Sequence, residues 1–549
     1  MSLPTEVLLN PMLIVSIFLV AATILFFRTT LYASFPGSIP WVGCRKELFS
    51  KPRANIRELR HALQFLDEGY ANYSKHDKPF VTPNVTMYPE ILLPPAHIPW
   101  LFNQPDDVLS ARAVQGSLIA SDYILPHLAF DSDLHVEVAR SILTRQLGAF
   151  MEVMVEETRI AMDEVLGLDT ENWNEVGVSK AVRDILLRVN ARVSVGLPLC
   201  RDKRYLELSY RLSTAVAICG SLIRALVPNI VKPISCPLFA LPCRWYAWRS
   251  NRYLFPIISS RIATLELEKS SLDPSSSISQ KDPPPNDLLQ GVILAALASP
   301  SKAHHSLHII SAIFAMLSMA ATHPLHITAV HALLDLLSHH SSPYPLDHIR
   351  EEASRVLTTH SETWTRTAVR QLHRADSAIR ESMRFTTLGG RGSMRQVMPA
   401  GGIQLPSGET VSQGLWIGAP VHSIHHDSAF YPDATTYQPF RFSATQEKTQ
   451  LAETDTGAAP ETQAKTPANT LLSLTTTSPA FLAFSHGRHA CPGRFYAAQL
   501  LKLFIAELAL RYDIKPLEKR PENIRMSDLT LPPGGVVIMV RRRKGNLEA

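Results

Sequence analysis

The chain opens on a long uncharged run and then settles into helical periodicity. Val7 to Phe27 carries no charged residue, and Met12 to Phe27 is almost wholly apolar. As a helix this run is about 31 Å long, enough to cross a bilayer core. Glu6 precedes it; Arg28, Arg45, Lys46, Lys51 and Arg53 follow. Positive charge on that side puts the rest of the chain in the cytosol. A cleaved leader would carry a basic start and a small-residue cleavage site, and neither is evident. Residues 1–28 therefore read as a membrane-anchor helix, and 29–54 as a hinge stiffened by Pro36 and Pro40.

Beyond the hinge, apolar positions recur at helical spacing over 136–166, 178–195, 206–226, 306–337, 350–356 and 496–510. Strand-like runs are short: 80–87, 409–417 and 535–540. The stretch 306–337 is apolar on nearly every face yet carries His308, His323, His326 and His331. At about 48 Å, a helix apolar all round belongs at the centre of a fold. Two stretches break the pattern. Residues 270–286 are rich in Ser, Asp and Pro; 443–470 are rich in Thr, Ala, Glu, Gln and Pro. The expected fold class is mainly α with small β-sheets, as one catalytic domain over 55–549 with 443–470 as a low-complexity surface insertion.

Composition narrows the classes. The chain has 549 residues, 46% of them hydrophobic, which excludes a disordered chain. A net charge of +5 from 54 basic and 49 acidic residues excludes binding nucleic acid by bulk charge. Six Cys without a C-x-x-C pair exclude a zinc ribbon, and 21 His form no H-E-x-x-H.

The chemistry concentrates near the C-terminus, in Phe481-Leu-Ala-Phe484-Ser-His-Gly487-Arg488-His489-Ala-Cys491-Pro-Gly493-Arg-Phe495. Cys491 stands on a Gly- and Pro-marked loop just before a predicted helix. A helix N-terminus lowers a thiol pKa and favours the thiolate, which is an iron ligand. Gly487 and Gly493 let the backbone approach a flat cofactor.

This loop resembles the haem-binding signature of cytochrome P-450 enzymes, and three further segments match in order. Glu381-Ser-Met-Arg384 resembles the family's E-x-x-R, and Tyr437-Gln-Pro-Phe-Arg441-Phe its P-x-R-F-type segment. The resemblance implies that Glu381, Arg384 and Arg441 form a buried network under the Cys491 loop. Ala320-Ala321-Thr322-His323-Pro324-Leu325 falls where the family places A/G-G-x-D/E-T-T/S. Ala320 and Ala321 keep the room needed over haem. His323 takes the acid position, and Pro324 takes the Thr position without a hydroxyl. Pro324 also predicts a lost helical hydrogen bond and a kink. Thr322, His323, an ordered water or a substrate hydroxyl remain the candidates for proton delivery. For the haem propionates the resemblance implies Arg488, His489 and Arg395, with Phe484 beside the ring.

By the same resemblance the chain is a haem-thiolate monooxygenase with haem b on Cys491. Its electrons come from NADPH through a cytochrome reductase partner, and it is placed in the endoplasmic reticulum membrane with the catalytic domain cytosolic. Asn172-Trp173, Ala191 to Arg201 and Thr476-Thr-Ser-Pro479 look like fungal enzymes that oxidise terpenoid natural products. The implied substrate is a small lipophilic terpenoid intermediate of secondary metabolism. Two alternatives stay open: a haem-thiolate isomerase or dehydratase working without dioxygen, and a degenerate haem-binding protein.

Overall fold

The structure, a computed structural model, describes residues 35–86, 88–227, 231–270, 285–341, 344–443 and 473–544. The expected anchor over 1–28 and nearly all of the insertion over 443–470 lie outside these residues, as does most of 270–286. The described part of the 29–54 stretch is fastened to the body. Val42 N–H donates to the Val81 carbonyl at 3.1 Å, Val81 N–H donates to the Pro40 carbonyl at 2.8 Å, and Phe35, Ile39 and Val42 are buried.

Nine helices carry the architecture relevant to the site: α1 (Ser50–Asn72), α2 (Leu134–Arg140), α3 (Leu147–Leu166), α4 (Val178–Ser194), α5 (Lys203–Leu226), α6 (Leu241–Ser270), α7 (Leu307–Leu337), α8 (His373–Phe385) and α9 (Arg494–Arg511). The pairing of α3 with α4 shows why the periodicity works. Phe150, Met151, Met154, Ala161 and Met162 share one face and pack on Val182, Ile185, Leu186 and Val189. The single helix expected over 136–166 is divided. A π turn, Ser141–Arg145, separates α2 from α3. The Ser141 hydroxyl donates to the Glu137 carbonyl at 2.9 Å and the Val138 carbonyl at 3.3 Å, competing with the main-chain ladder at that turn.

Helix α7 runs through the middle, packed against α4, α5, α6, α8 and α9. It passes Pro324 without interruption: packing on both sides holds the helix although one main-chain bond is absent. Among the described helices, α5 and α7 are long and apolar enough to cross a membrane, and each buries part of its apolar surface inside the body.

The sheets are small. β1 (Phe80–Thr82), β2 (Glu90–Leu92), β3 (Leu109–Ser110), β5 (Gly392–Val397) and β6 (Trp416–Ala419) form one sheet in the order β1-β2-β6-β5-β3, in which only β2 and β6 are parallel. β4 (Asn174–Gly177), β8 (Val537–Arg542) and β7 (Tyr512–Ile514) form a second, antiparallel sheet with β8 central. The run expected over 80–87 contributes only three strand residues. The 409–417 run divides between a two-residue strand, Thr410–Val411, and β6.

Candidate active site

Helix α8 places Glu381 and Arg384 one turn apart, both fully buried. Arg384 Nε donates to Glu381 Oε2 and its Nη2 to Oε1, each at 2.8 Å. Arg441 Nε reaches the same Oε1 at 2.9 Å, and the Gln438 N–H reaches it at 3.1 Å. The remaining guanidinium donors are spent on carbonyls. Arg384 Nη1 donates to His425 and Ala434 at 2.7 Å; Arg441 Nη2 donates to Thr436 at 3.0 Å, and its Nη1 to Pro432. A buried carboxylate between two cations with its lone pairs filled is the arrangement in which a buried charge is tolerated.

Two residues absent from the sequence reading connect this network to the Cys491 loop. His425 gives its carbonyl to Arg384, and its ring Nε2 accepts the Leu482 N–H at 3.0 Å. The ring stacks on Phe481 with centroids 5.4 Å apart. Burial first, then the surrounding cations, hold its pKa well below the usual histidine value, so the ring stays neutral and Nε2 keeps its lone pair. Arg380, also fully buried, donates to the Ser473 and Thr476 carbonyls at 2.6 and 2.8 Å and lies 3.7 Å over Phe481. Its place one turn before Arg384 is a sequence signal for the same face of α8; nothing in sequence spacing marks His425.

The loop turns on left-handed residues at Ser485 and Gly487. A side chain on Gly487 would be strained there and would meet the Phe102 Cβ at 3.4 Å. Cys491 N–H donates to the Phe484 carbonyl at 2.9 Å, and α9 begins three residues on. The thiol is half-buried. Backbone N–H groups of Gly493 and Arg494 donate to its sulfur, and the Arg494 charge lies nearby. These favour the thiolate, as a helix start should, but the net pKa is raised because burial outweighs them. The expected lowering is thus corrected: in this pocket a thiolate needs a further positive partner. Around Gly493 a side chain would meet nothing within 4 Å.

One edge of the loop is basic. Arg395, on β5, is buried; its Nη1 donates to the Met394 carbonyl at 2.9 Å while Nη2 has no acceptor. Burial pulls its pKa down to about 10. Arg488 donates to the Gln104 carbonyl, and His489 Nε2 lies 2.6 Å from Asp106 Oδ1. Arg140 of α2, not foreseen from sequence, donates to the Arg488 carbonyl at 3.1 Å.

Helix α7 has a bare face. In the middle of this largely buried helix, Ala320 and Pro324, one turn apart, are exposed. Ala321 and Thr322 turn instead towards Leu186 and Asn190 of α4, lining a small cavity there. Thr322 is buried with its hydroxyl donated to the Ser318 carbonyl at 2.7 Å. His323 points at α5: Nε2 is 3.3 Å from the Thr214 hydroxyl and the ring is 5.0 Å from that of Tyr210. Burial lowers its pKa. Of the expected residues, the structure brings Ala320 onto the bare face and sends Ala321, Thr322 and His323 to flanking helices.

Residues 116–540 match the model of the family described as Cytochrome P450. The chain is 34% identical to the cytochrome P450 monooxygenase polB of Polytolypa hystricis, over 93% of this chain and 94% of that protein. It is also 34% identical to the cytochrome P450 monooxygenase lnaC of Aspergillus flavus, over 93% of each, and 31% identical to efuH of Hormonema carpetanum, over 92% and 86%.

Proposed function

The chain belongs to the cytochrome P450 family and is a monooxygenase, and from that premise we propose that it oxidises a lipophilic terpenoid intermediate of fungal secondary metabolism. In this reading residues 1–28 hold it in the endoplasmic reticulum membrane, with the catalytic body in the cytosol and an NADPH-dependent reductase as electron donor. The observation that carries the reading is the half-buried Cys491 sulfur, met by two N–H groups and seated on a filled network of buried charges.

The residues fit haem b. Arg395 keeps a buried N–H without an acceptor, which suits a propionate; Arg488 and His489 stand beside it. The open space at Gly493 and the small Ala320 suit a flat ring between the loop and α7. When bound, haem supplies dioxygen activation and transfer of one oxygen atom to a C–H bond. Cys491 would hold the group through its sulfur, with the Gly493 and Arg494 amides tempering the thiolate charge. Glu381, Arg384, Arg441 and His425 hold the loop at its height. Phe484 and Ala321 pack against the main core behind these surfaces. Of the two proposed proton-handling residues, His323 faces the Thr214 hydroxyl of α5 and Thr322 donates its hydrogen bond to the Ser318 carbonyl, so either would serve the Ala320 face only through a further group such as an ordered water or a substrate hydroxyl.

The test is the carbon monoxide difference spectrum of the reduced full-length chain, followed by product analysis with a reductase and a panel of terpenoid skeletons. A thiolate-type spectrum is expected, lost together with turnover in Cys491→Ala. Normal turnover in that variant would overturn the ligand assignment. The exposed Pro324 gives the dioxygen-independent isomerase or dehydratase its one support. Product formed anaerobically without reductase would establish that reading instead.

A further inference from the structure

Two of the six cysteines meet. Cys219, in the second half of α5, and Cys243, in the first turn of α6, are both buried and both free. They share one cluster with Leu212, Ala215 and Val216, and Tyr246 and Ala247 of α6 pack against it. The Cys219 thiol is a hydrogen-bonding partner of Cys243. Ala215 and Ala247 are small and let the two helices approach closely. Gly220, next to Cys219, seats α5 against the Leu118 carbonyl, where a side chain would clash. Packing therefore sets how the thiols face each other, since a thiol hydrogen bond is too weak to do so. Cys200 and Cys236 are also buried, but neither has a second thiol in its cluster. Cys243 has a further contact that Cys219 lacks. It lines a cavity of about 720 Å³ between α5, α6 and α7, together with Leu212, Val216, Ala315 and Met319. A small molecule in that cavity meets the Cys243 sulfur first, with Cys219 behind it. Burial, and then the neighbouring Cys219, raise the Cys243 pKa, so the resting group is the thiol.

We propose that Cys219 and Cys243 form a reversible redox site, which hydrogen peroxide converts into a disulfide tying α5 to α6 at the cavity wall. The chemistry takes two steps. Peroxide gives one oxygen to the Cys243 sulfur: the O–O bond breaks, the sulfur loses two electrons and becomes a sulfenic acid, and one water leaves. The Cys219 sulfur then attacks the Cys243 sulfur. The S–S bond forms, the S–O bond breaks, and the oxygen departs as water with the Cys219 proton. In sum, two thiols and one peroxide give one disulfide and two waters. A dithiol, or two molecules of a monothiol, reverses the change by thiol–disulfide exchange. The link closes the whole segment from 219 to 243, including the short helix Lys232–Phe239, so the end of α5 and the start of α6 can no longer part. The site is independent of what the enzyme oxidises.

The experiment treats the full-length haem-loaded enzyme with a small excess of hydrogen peroxide, blocks the remaining thiols with N-ethylmaleimide and maps the peptides by mass spectrometry. A linked pair of peptides carrying Cys219 and Cys243 is expected, about 2 Da lighter than the two thiol peptides together and lost on treatment with dithiothreitol. Hydrogen exchange of backbone amides in the end of α5 and the start of α6 is expected to slow roughly fivefold on oxidation and to recover on reduction. Cys219→Ser should remove the link and leave Cys243 as a sulfenic acid that dimedone captures, whereas Cys243→Ser should leave Cys219 unoxidised. Absence of the linked pair overturns the site. Exchange unaffected by the link overturns the tie between the helices, and equal oxidation of Cys219 in Cys243→Ser overturns the order of attack. The first two readouts use the unmodified chain, so they stand even where a variant fails to fold. Neither needs a substrate, so their failure is separate from failure of the function proposed above.

Discussion

The protein side of Cys491 and the bare face of α7 are built to opposite rules. Under the loop, Glu381 receives both arginines and a backbone N–H, and Arg384 spends its remaining donors on carbonyls. In the middle of α7 the exposed positions are Ala320 and Pro324, which bring no polar side chain, while the neighbouring Thr322 and His323 are engaged elsewhere. The contrast separates two tasks. Holding a ligand sulfur at a fixed height calls for a rigid, over-determined support. A face that meets lipophilic carbon is served by small apolar surface with nothing to desolvate.

The largest effect that would break this contrast is in the support. Glu381→Ala leaves Arg384 and Arg441 without their carboxylate. The expected loss is about 3–5 kcal/mol, a large part of a domain's stability, with haem content falling in parallel. Urea unfolding and haem absorbance measure it; a loss under about 1 kcal/mol would mean that the network is dispensable.

A second measurement compares the wired part of α7 with its bare part. His326 Nε2 donates to the Ser179 carbonyl at 2.9 Å. His331 Nε2 donates to Thr530 at 3.2 Å while its Nδ1 accepts from Arg520. Burial holds both at about 4, below the ordinary 6.5. The unfolded chain therefore takes up these protons first. The histidine contribution is complete above pH 6.5 and declines between 6.5 and about 4, by about 1.4 kcal/mol per pH unit for each ring. Denaturation midpoints at pH 7 and 5.5 test this, and His331→Gln should flatten the dependence.

Smaller still is Arg395→Leu. It removes a buried N–H that has no partner, so the apoprotein is expected to lose little stability while haem dissociates roughly tenfold faster. Equal loss of both would make Arg395 structural. The smallest effect is expected from Pro324→Thr, a few-fold gain in product per NADPH if a hydroxyl is wanting on that face. Pro324→Ala restores the N–H without the hydroxyl, so an equal gain in both variants would credit the main chain.

Much of this was legible in sequence because it lies in short motifs. E-x-x-R, the Arg441 segment and the Cys491 loop each fix their own local geometry, and the structure brings Glu381, Arg384 and Arg441 into one cluster. What escaped is tertiary. His425 joins the support to the loop through one carbonyl and one ring nitrogen, which no spacing announces. The sign of the Cys491 shift depended on how deeply the loop is buried, and proximity to a helix start does not reveal that. The direction of Thr322 and His323 followed from which helices flank α7. Apolar periodicity says that a helix is central; it does not say which neighbour each side chain meets.

Proline at 324 also changes the inventory of acceptors. Without an N–H there, the carbonyl of Ala320 receives no bond from position 324 although the helix continues past it. That oxygen belongs to the exposed Ala320. Any lone pair it presents there belongs to the peptide unit itself, so truncating neighbouring side chains leaves it in place and an alanine scan of this wall would not reach it.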